Sequence, residues 1–143
     1  MGVTMLDSFN DGGVFHSVEE AEYANRCDEF FKEWVPSNGS LINSFKQVCD
    51  TIRFKYGRET YGGQAVAEIV RFEMLAFEAG SDYKMNNNSI ALLSRYIMMK
   101  YPQFEGFFRV RKISGIREAR ATRIFQAAMY RAGQLPTEQA ELF

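Results

Sequence analysis

The stretch from Leu41 to Tyr56 constrains this chain most. Leu41, Ile42, Phe45, Val48, Cys49, Ile52 and Tyr56 recur at helical spacing, three and four residues apart. A strand period of two would scatter them over both faces of a sheet. The pattern therefore predicts an amphipathic helix whose apolar stripe must be buried against other elements. Ser37-Asn38-Gly39-Ser40 is a turn that supplies its N-cap, and Gly57 its C-cap. Lys46, Arg53 and Lys55 leave its other faces basic.

Similar reasoning places four more helices. Ser17 and Glu20 form a capping-box pattern. The helix that follows should carry Tyr23, Cys27, Phe30, Phe31 and Trp34 inward, and Val35-Pro36 should end it. A third helix is predicted from Gly63 to about Phe72, with Val66, Ile69 and Val70 inward. Phe72–Glu78 reads either as its continuation or as a strand. Asn86 to Ser89 open a fourth, with Leu92, Leu93, Tyr96 and Ile97 as its stripe and a stop near Tyr101-Pro102. A last helix, about Ile116 to Ala132, should bury Ile124, Phe125, Ala128 and Met129.

Two segments look extended. Ala79-Gly80-Ser81-Asp82 is a turn signal, and Tyr83-Lys84-Met85 would return from it as a short strand in a small hairpin. Phe107–Ile113 alternates, Phe108 and Val110 against Arg109 and Arg111, and predicts a second strand segment. The fold class expected is α+β and helix-dominated. About five helices should pack with a small two- or three-stranded antiparallel sheet. A mobile arm is expected over 1–15, one globular domain with an acidic first helix over 16–133, and a loose tail over 134–143.

Charge is unevenly divided. Residues 1–38 hold eight acids and two bases, 39–131 hold fifteen bases and eight acids, and 132–143 add two acids. The partition implies a basic body beside an acidic helix, or two faces that meet different partners. No stretch approaches the ~20 apolar residues of a membrane span. The N-terminus lacks the basic start and apolar run of a signal peptide. A cytoplasmic setting without membrane association is expected. Cys27 and Cys49 fall at apolar helical positions and read as small buried hydrophobes.

Little in the sequence suggests catalysis. The one histidine, His16, lies at the edge of the N-terminal arm and makes a poor triad base. Zinc-ligand spacings and phosphate-binding glycine loops are absent from the sequence. The least unlikely enzyme is a metal-dependent nuclease using Glu73, Glu78, Asp82 and Lys84. A solvated turn explains those residues better, and no catalytic residue, metal or cofactor is assigned. The stronger signal is basic. Arg109, Arg111 and Lys112 lie on one predicted strand, with Arg117 and Arg120 at the start of the last helix. Lys84, Asn87, Arg95 and Lys100 come from the hairpin and the fourth helix. Such a set suits phosphate contacts, with asparagine available to base edges. Pairing of the arginines with the acidic first helix is the competing explanation.

The run KMNNNSIALLSRYIMMKYPQFEGFFRVR resembles a family of small phage- and prophage-encoded proteins of uncharacterised function. The resemblance rests on Asn86, Asn87, Asn88, Arg95, Pro102, Gly106, Phe107, Phe108 and Arg111, with Ala65 to Glu73 also similar. It spans roughly 36–112. Ile90-Ala91-Leu92 stands where that family often has an aromatic residue. The resemblance implies a phage or mobile-element setting and no particular chemistry. A structural reading of the same motif has Arg95 clamping Glu68 or Glu73, and the asparagines bridging the hairpin end. The function expected is non-enzymatic binding of DNA or RNA through a basic strand and helix surface. The alternative is an accessory protein that binds and modulates a host or defence protein.

Overall fold

A computed structural model describes residues 15–77 and 85–134. Five long helices account for most of them: α1 (Val18–Glu29), α2 (Gly39–Asp50), α3 (Gly63–Phe77), α4 (Asn87–Lys100) and α5 (Glu118–Arg131). The described chain divides into two compact units, 15–36 with 111–134, and 37–77 with 85–110.

In the first unit α1 packs on α5. Ser17 caps α1, its hydroxyl accepting from the Glu20 N–H at 3.2 Å. Tyr23, Cys27, Phe30 and Phe31 from α1 and the turn after it are buried with Ile124, Phe125, Ala128 and Met129 from α5. Phe31 and Phe125 meet at 5.1 Å between ring centroids. Each large side chain so buried contributes about 1.5–3 kcal/mol. The chain does not stop helically at Val35. α1 passes into a π turn, Phe30–Trp34, and a last α turn, Val35–Ser37. The Val35 N–H reaches back five residues to the Phe30 carbonyl. Pro36 has no N–H to give and would crowd the carbonyl four residues back in a regular helix. The widened turn before it is consistent with relief of that crowding.

In the second unit α2 packs on α3, α3 on α4, and α4 on a short 3₁₀ turn, Pro102–Phe104. Phe45, Cys49, Val66, Val70, Leu93, Ile97 and Phe104 are fully excluded from solvent. Gly63 permits the close approach of α3 to α4. A Cβ there would lie 2.6 Å from Ser94 Oγ and 3.3 Å from Ile90 Cγ2. Asn86 caps α4 as its position predicts, its side chain accepting from the Ser89 N–H at 2.9 Å. Asn87 accepts from Gln64 Nε2, which ties α4 to α3.

The expected sheet is not there: the described residues contain no strand, so the fold is helical rather than α+β. Phe72–Phe77 is helix, which removes the first arm of the proposed hairpin. Tyr83 and Lys84 lie outside the described residues, and Met85 is not in a strand. Residues 107–113 are irregular. Phe107 and Phe108 are both buried; Phe108 and Val110 still lie inward of exposed Arg109 and Arg111, but without a strand. Backbone groups there bond to scattered partners instead of a ladder. The Phe107 carbonyl accepts from the Tyr61 N–H at 3.0 Å, and the Phe108 N–H reaches Met98 Sδ at 3.4 Å. A strand needs a neighbour, and α3 has become helix where that neighbour was expected. Nearly all of the proposed N-terminal arm and C-terminal tail lies outside the described residues.

Candidate nucleic-acid interface

The residues predicted to touch phosphate fall into three groups. Arg109, Arg111, Lys112 and Arg117 are exposed. All four belong to the irregular stretch that leads into α5. Lys100 is half-buried at the end of α4, and Asn87 is exposed but bonded to Gln64. Arg95 and Arg120 are buried, at 6% and 7% exposure. Lys84 lies outside the described residues.

Arg120 is the clearest case of a cation held for structure. Its Nη2 donates to Glu20 Oε1 at 2.8 Å and its Nε to Glu20 Oε2 at 3.2 Å. This is a two-point contact across α1 and α5, away from solvent. Glu20 Oε1 also accepts from the His16 N–H at 2.9 Å. The Arg120 guanidinium holds the Glu20 carboxyl below its usual value, against the opposing effect of burial. At the other end of α5, Arg131 pairs with Asp28, its Nη2 2.9 Å and its Nε 3.3 Å from Oδ1. The acidic first helix therefore neutralises part of the basic last helix. In the second unit, Glu68 and Glu73 are exposed on α3 rather than buried with Arg95.

A second group of cations was not assigned to the interface from the sequence, although Arg53 and Lys55 stood out as a basic face of their helix. The end of α2 passes into a π turn, Thr51–Lys55. The Tyr56 N–H bonds to the Thr51 carbonyl, five residues back, at 3.1 Å. Gly57, at φ +69, then turns the chain out of the helix, and the Arg58 N–H closes on the Ile52 carbonyl at 3.1 Å. In a regular helix Tyr56 would lie on the Ile52 face and be buried. The extra residue in the turn shifts that register, and Tyr56 is 68% exposed. Phe54 is 58% exposed, with one edge against buried Phe104 at 5.9 Å.

Each exposed ring has a cation beside it. Arg53 Cζ lies 5.4 Å from the Phe54 centroid, and Lys55 Nζ lies 5.7 Å from that of Tyr56. Arg58 Cζ lies 5.8 Å from the Tyr61 ring. Among the described residues Arg53, Lys55 and Arg58 have no carboxylate partner. The sequence RFKYGR alternates cation and ring, and that alternation is the signal that could have found the site.

The arrangement offers charge and stacking surface. Among the described residues no group of three His, Cys, Asp or Glu is placed to hold a metal. Glu73 is exposed on α3, while Glu78, Asp82 and Lys84 of the nuclease pattern lie outside the described residues. His16 is exposed, its Nδ1 3.8 Å from Glu20 Oε2. Cys27 and Cys49 are free and buried. Burial pushes the Cys49 thiol up to about 12, which suits packing and not nucleophilic attack. No described helix is long and apolar enough to cross a membrane. Compared with protein families, curated proteins and solved structures, the chain finds no match in any of the three.

Proposed function

We propose that this is a small non-enzymatic nucleic-acid-binding protein that contacts phosphates through exposed cations. The observation that carries the reading is the cluster Arg53, Phe54, Lys55, Tyr56 and Arg58, where cations with no carboxylate partner among the described residues alternate with exposed rings. Phosphate is the anion that arginine and lysine of this kind meet best, and aromatic faces suit bases. Exposed Arg109, Arg111, Lys112 and Arg117 add positive charge of the same accessible kind. Arg95 and Arg120 leave the proposed contact set because both are buried. The resemblance to phage and prophage proteins adds a setting to the proposal: the cytoplasm of a bacterial host.

The test is a salt-titrated binding assay with single- and double-stranded DNA and RNA, with and without magnesium. Affinity should fall steeply as salt rises, because each neutralised phosphate releases counterions. The nucleic acid should be recovered intact. Magnesium-dependent cleavage would overturn the non-enzymatic part of the reading, and no binding at low salt would overturn all of it.

One observation favours the alternative, an accessory protein that binds and modulates a host or defence protein. Phe72 is 74% exposed and Ile69 36% exposed, one turn apart on the outer face of α3. Ile69 was expected to face inward with Val66 and Val70, but only the latter two are buried. Glu68 and Glu73 are exposed on either side of that apolar pair, so the matching surface would be an apolar helix face edged with lysine or arginine. Phe72→Asp should abolish binding of a protein partner and leave nucleic-acid binding unchanged.

A further inference from the structure

We propose that Phe54 and Tyr56 are stacking platforms for unpaired bases, so that the end of α2 takes single-stranded nucleic acid in preference to duplex. This rests on the nucleic-acid reading above and names the form of the ligand.

Two large rings, at 58% and 68% exposure within three residues, are not explained by the core. The second unit already buries Phe45, Phe104, Phe107 and Phe108. Tyr56 is excluded from that core by a local feature, the π turn, rather than by want of an apolar side chain. Turns of this kind concentrate at functional positions in helices. Gly57 then removes the chain from the helix, leaving Tyr56 at its very end.

The cations decide where phosphates go, and the rings decide which nucleic acid fits. Arg53, Lys55 and Arg58 would neutralise the backbone of either a duplex or a single strand. Rings gain nothing from a duplex, whose bases are already stacked and paired. A single strand presents free base faces, and stacking on an aromatic side chain is tolerant of base identity. An exposed cation–ring contact is worth less than a base stacked on the same ring. Binding therefore favours exchange, with the base taking a ring face and the cation turning to a phosphate. Phe54 stays braced by Phe104 during that exchange, 5.9 Å between ring centroids.

The experiment is fluorescence anisotropy with a labelled oligothymidylate, a duplex of the same length, and an abasic strand of the same length. The oligothymidylate should bind more tightly than either of the others. Phe54→Leu keeps an apolar side chain against Phe104 but offers no ring, and should weaken oligothymidylate binding about tenfold. Tyr56→Ala should do the same, and Tyr56→Phe should retain full affinity. None of these variants should change the salt slope, whereas Lys55→Gln or Arg58→Gln should reduce it by about 0.7 each. Circular dichroism of each variant checks that α2 is intact. If Phe54→Leu and Tyr56→Ala bind like the parent while the charge variants weaken, stacking is overturned and the nucleic-acid reading survives. Duplex bound as tightly as single strand also overturns the inference. Absence of binding to all three probes at low salt overturns both.

Discussion

Arg120 in the first unit and Arg58 in the second carry the same side chain into opposite surroundings. Arg120 is 7% exposed and gives two hydrogen bonds to Glu20. Arg58 is exposed and lies beside the Tyr61 ring, with no carboxylate partner among the described residues. Desolvating a guanidinium is costly unless a carboxylate meets it, so Arg120 is fixed by the fold and withdrawn from ligands. Lying on an aromatic face costs little and is readily exchanged for phosphate, so Arg58 stays available. The basic excess of residues 39–131 is thus not one surface. Part of it closes a helix pair, and part of it faces solvent.

The largest effect should come from breaking the first arrangement. Glu20→Ala leaves Arg120 buried without its partner and should cost about 3–5 kcal/mol. Trp34, the sole tryptophan, stacks on Phe30 at 5.3 Å in the same unit, so its fluorescence during urea unfolding reports the loss. Replacing both partners by apolar residues, Glu20→Leu with Arg120→Met, should recover most of it. A loss under about 1 kcal/mol in the single variant would show that the buried pair does not anchor α1 to α5.

The two units should also differ in their pH limits. Arg120 lowers the Glu20 carboxyl below its ordinary 4.5. The unfolded carboxyl then takes up its proton at a higher pH than the folded one. Stability from this group is full above about 4.5 and is lost as pH falls through the folded value. The second unit is sensitive at the other end. Burial raises the Cys49 thiol from 9.0 to about 12 and the Tyr96 hydroxyl from 10.0 to about 12. Between about 9 and 12 the unfolded thiol ionises first, so stability falls as pH rises. Melting temperature against pH should show both limbs. Glu20→Gln should flatten the acid limb, and Cys49→Ala should make the alkaline one shallower, leaving the part due to Tyr96.

The register shift at the end of α2 gives a smaller contrast within one helix. Ile52→Ala should cost about 2–4 kcal/mol, because Ile52 is 7% exposed and its removal leaves a cavity. Tyr56→Ala should cost no more than about 0.5 kcal/mol. Equal losses in chemical denaturation would mean that Tyr56 belongs to the core after all.

That contrast also shows how far the sequence could be read. Leu41, Ile42, Phe45, Val48, Cys49 and Ile52 are all buried, as helical spacing requires. Caps at Ser17 and Asn86 form because they depend only on neighbours three residues away. Tyr56 fits the same spacing but is exposed, because spacing assumes an unbroken helix and a π turn breaks the count. The aromatic and basic cluster was therefore hidden behind a correct pattern. The sheet failed for a different reason. Alternation at Phe107–Ile113 is local, but a strand is defined by a partner, and α3 continues as helix to Phe77. Among the arginines, sequence counts charge and not company. Glu20 read as the second member of a capping box; its N–H does donate to Ser17, but its carboxylate accepts from the His16 N–H and holds Arg120 from a hundred residues away.

The smallest expected effect on stability is the one most telling for function. Lys55→Gln and Arg58→Gln each remove an exposed cation that touches one ring and, among the described residues, no carboxylate. Exposed cation–ring contacts are worth about 0.5–1 kcal/mol. The freed ring remains solvated and the lost charge relieves repulsion within the basic cluster, so the net change should stay within about 0.5 kcal/mol. Added salt should likewise leave the melting temperature of these variants and the parent parallel. Arg131→Gln makes the matching control, since it removes a cation from a half-buried pair with Asp28. That variant should lose about 1 kcal/mol and leave nucleic-acid affinity unchanged. The two outcomes together separate cations that hold the fold from cations that are free to meet a ligand. A stability loss at Arg58 as large as that at Arg131 would erase the distinction.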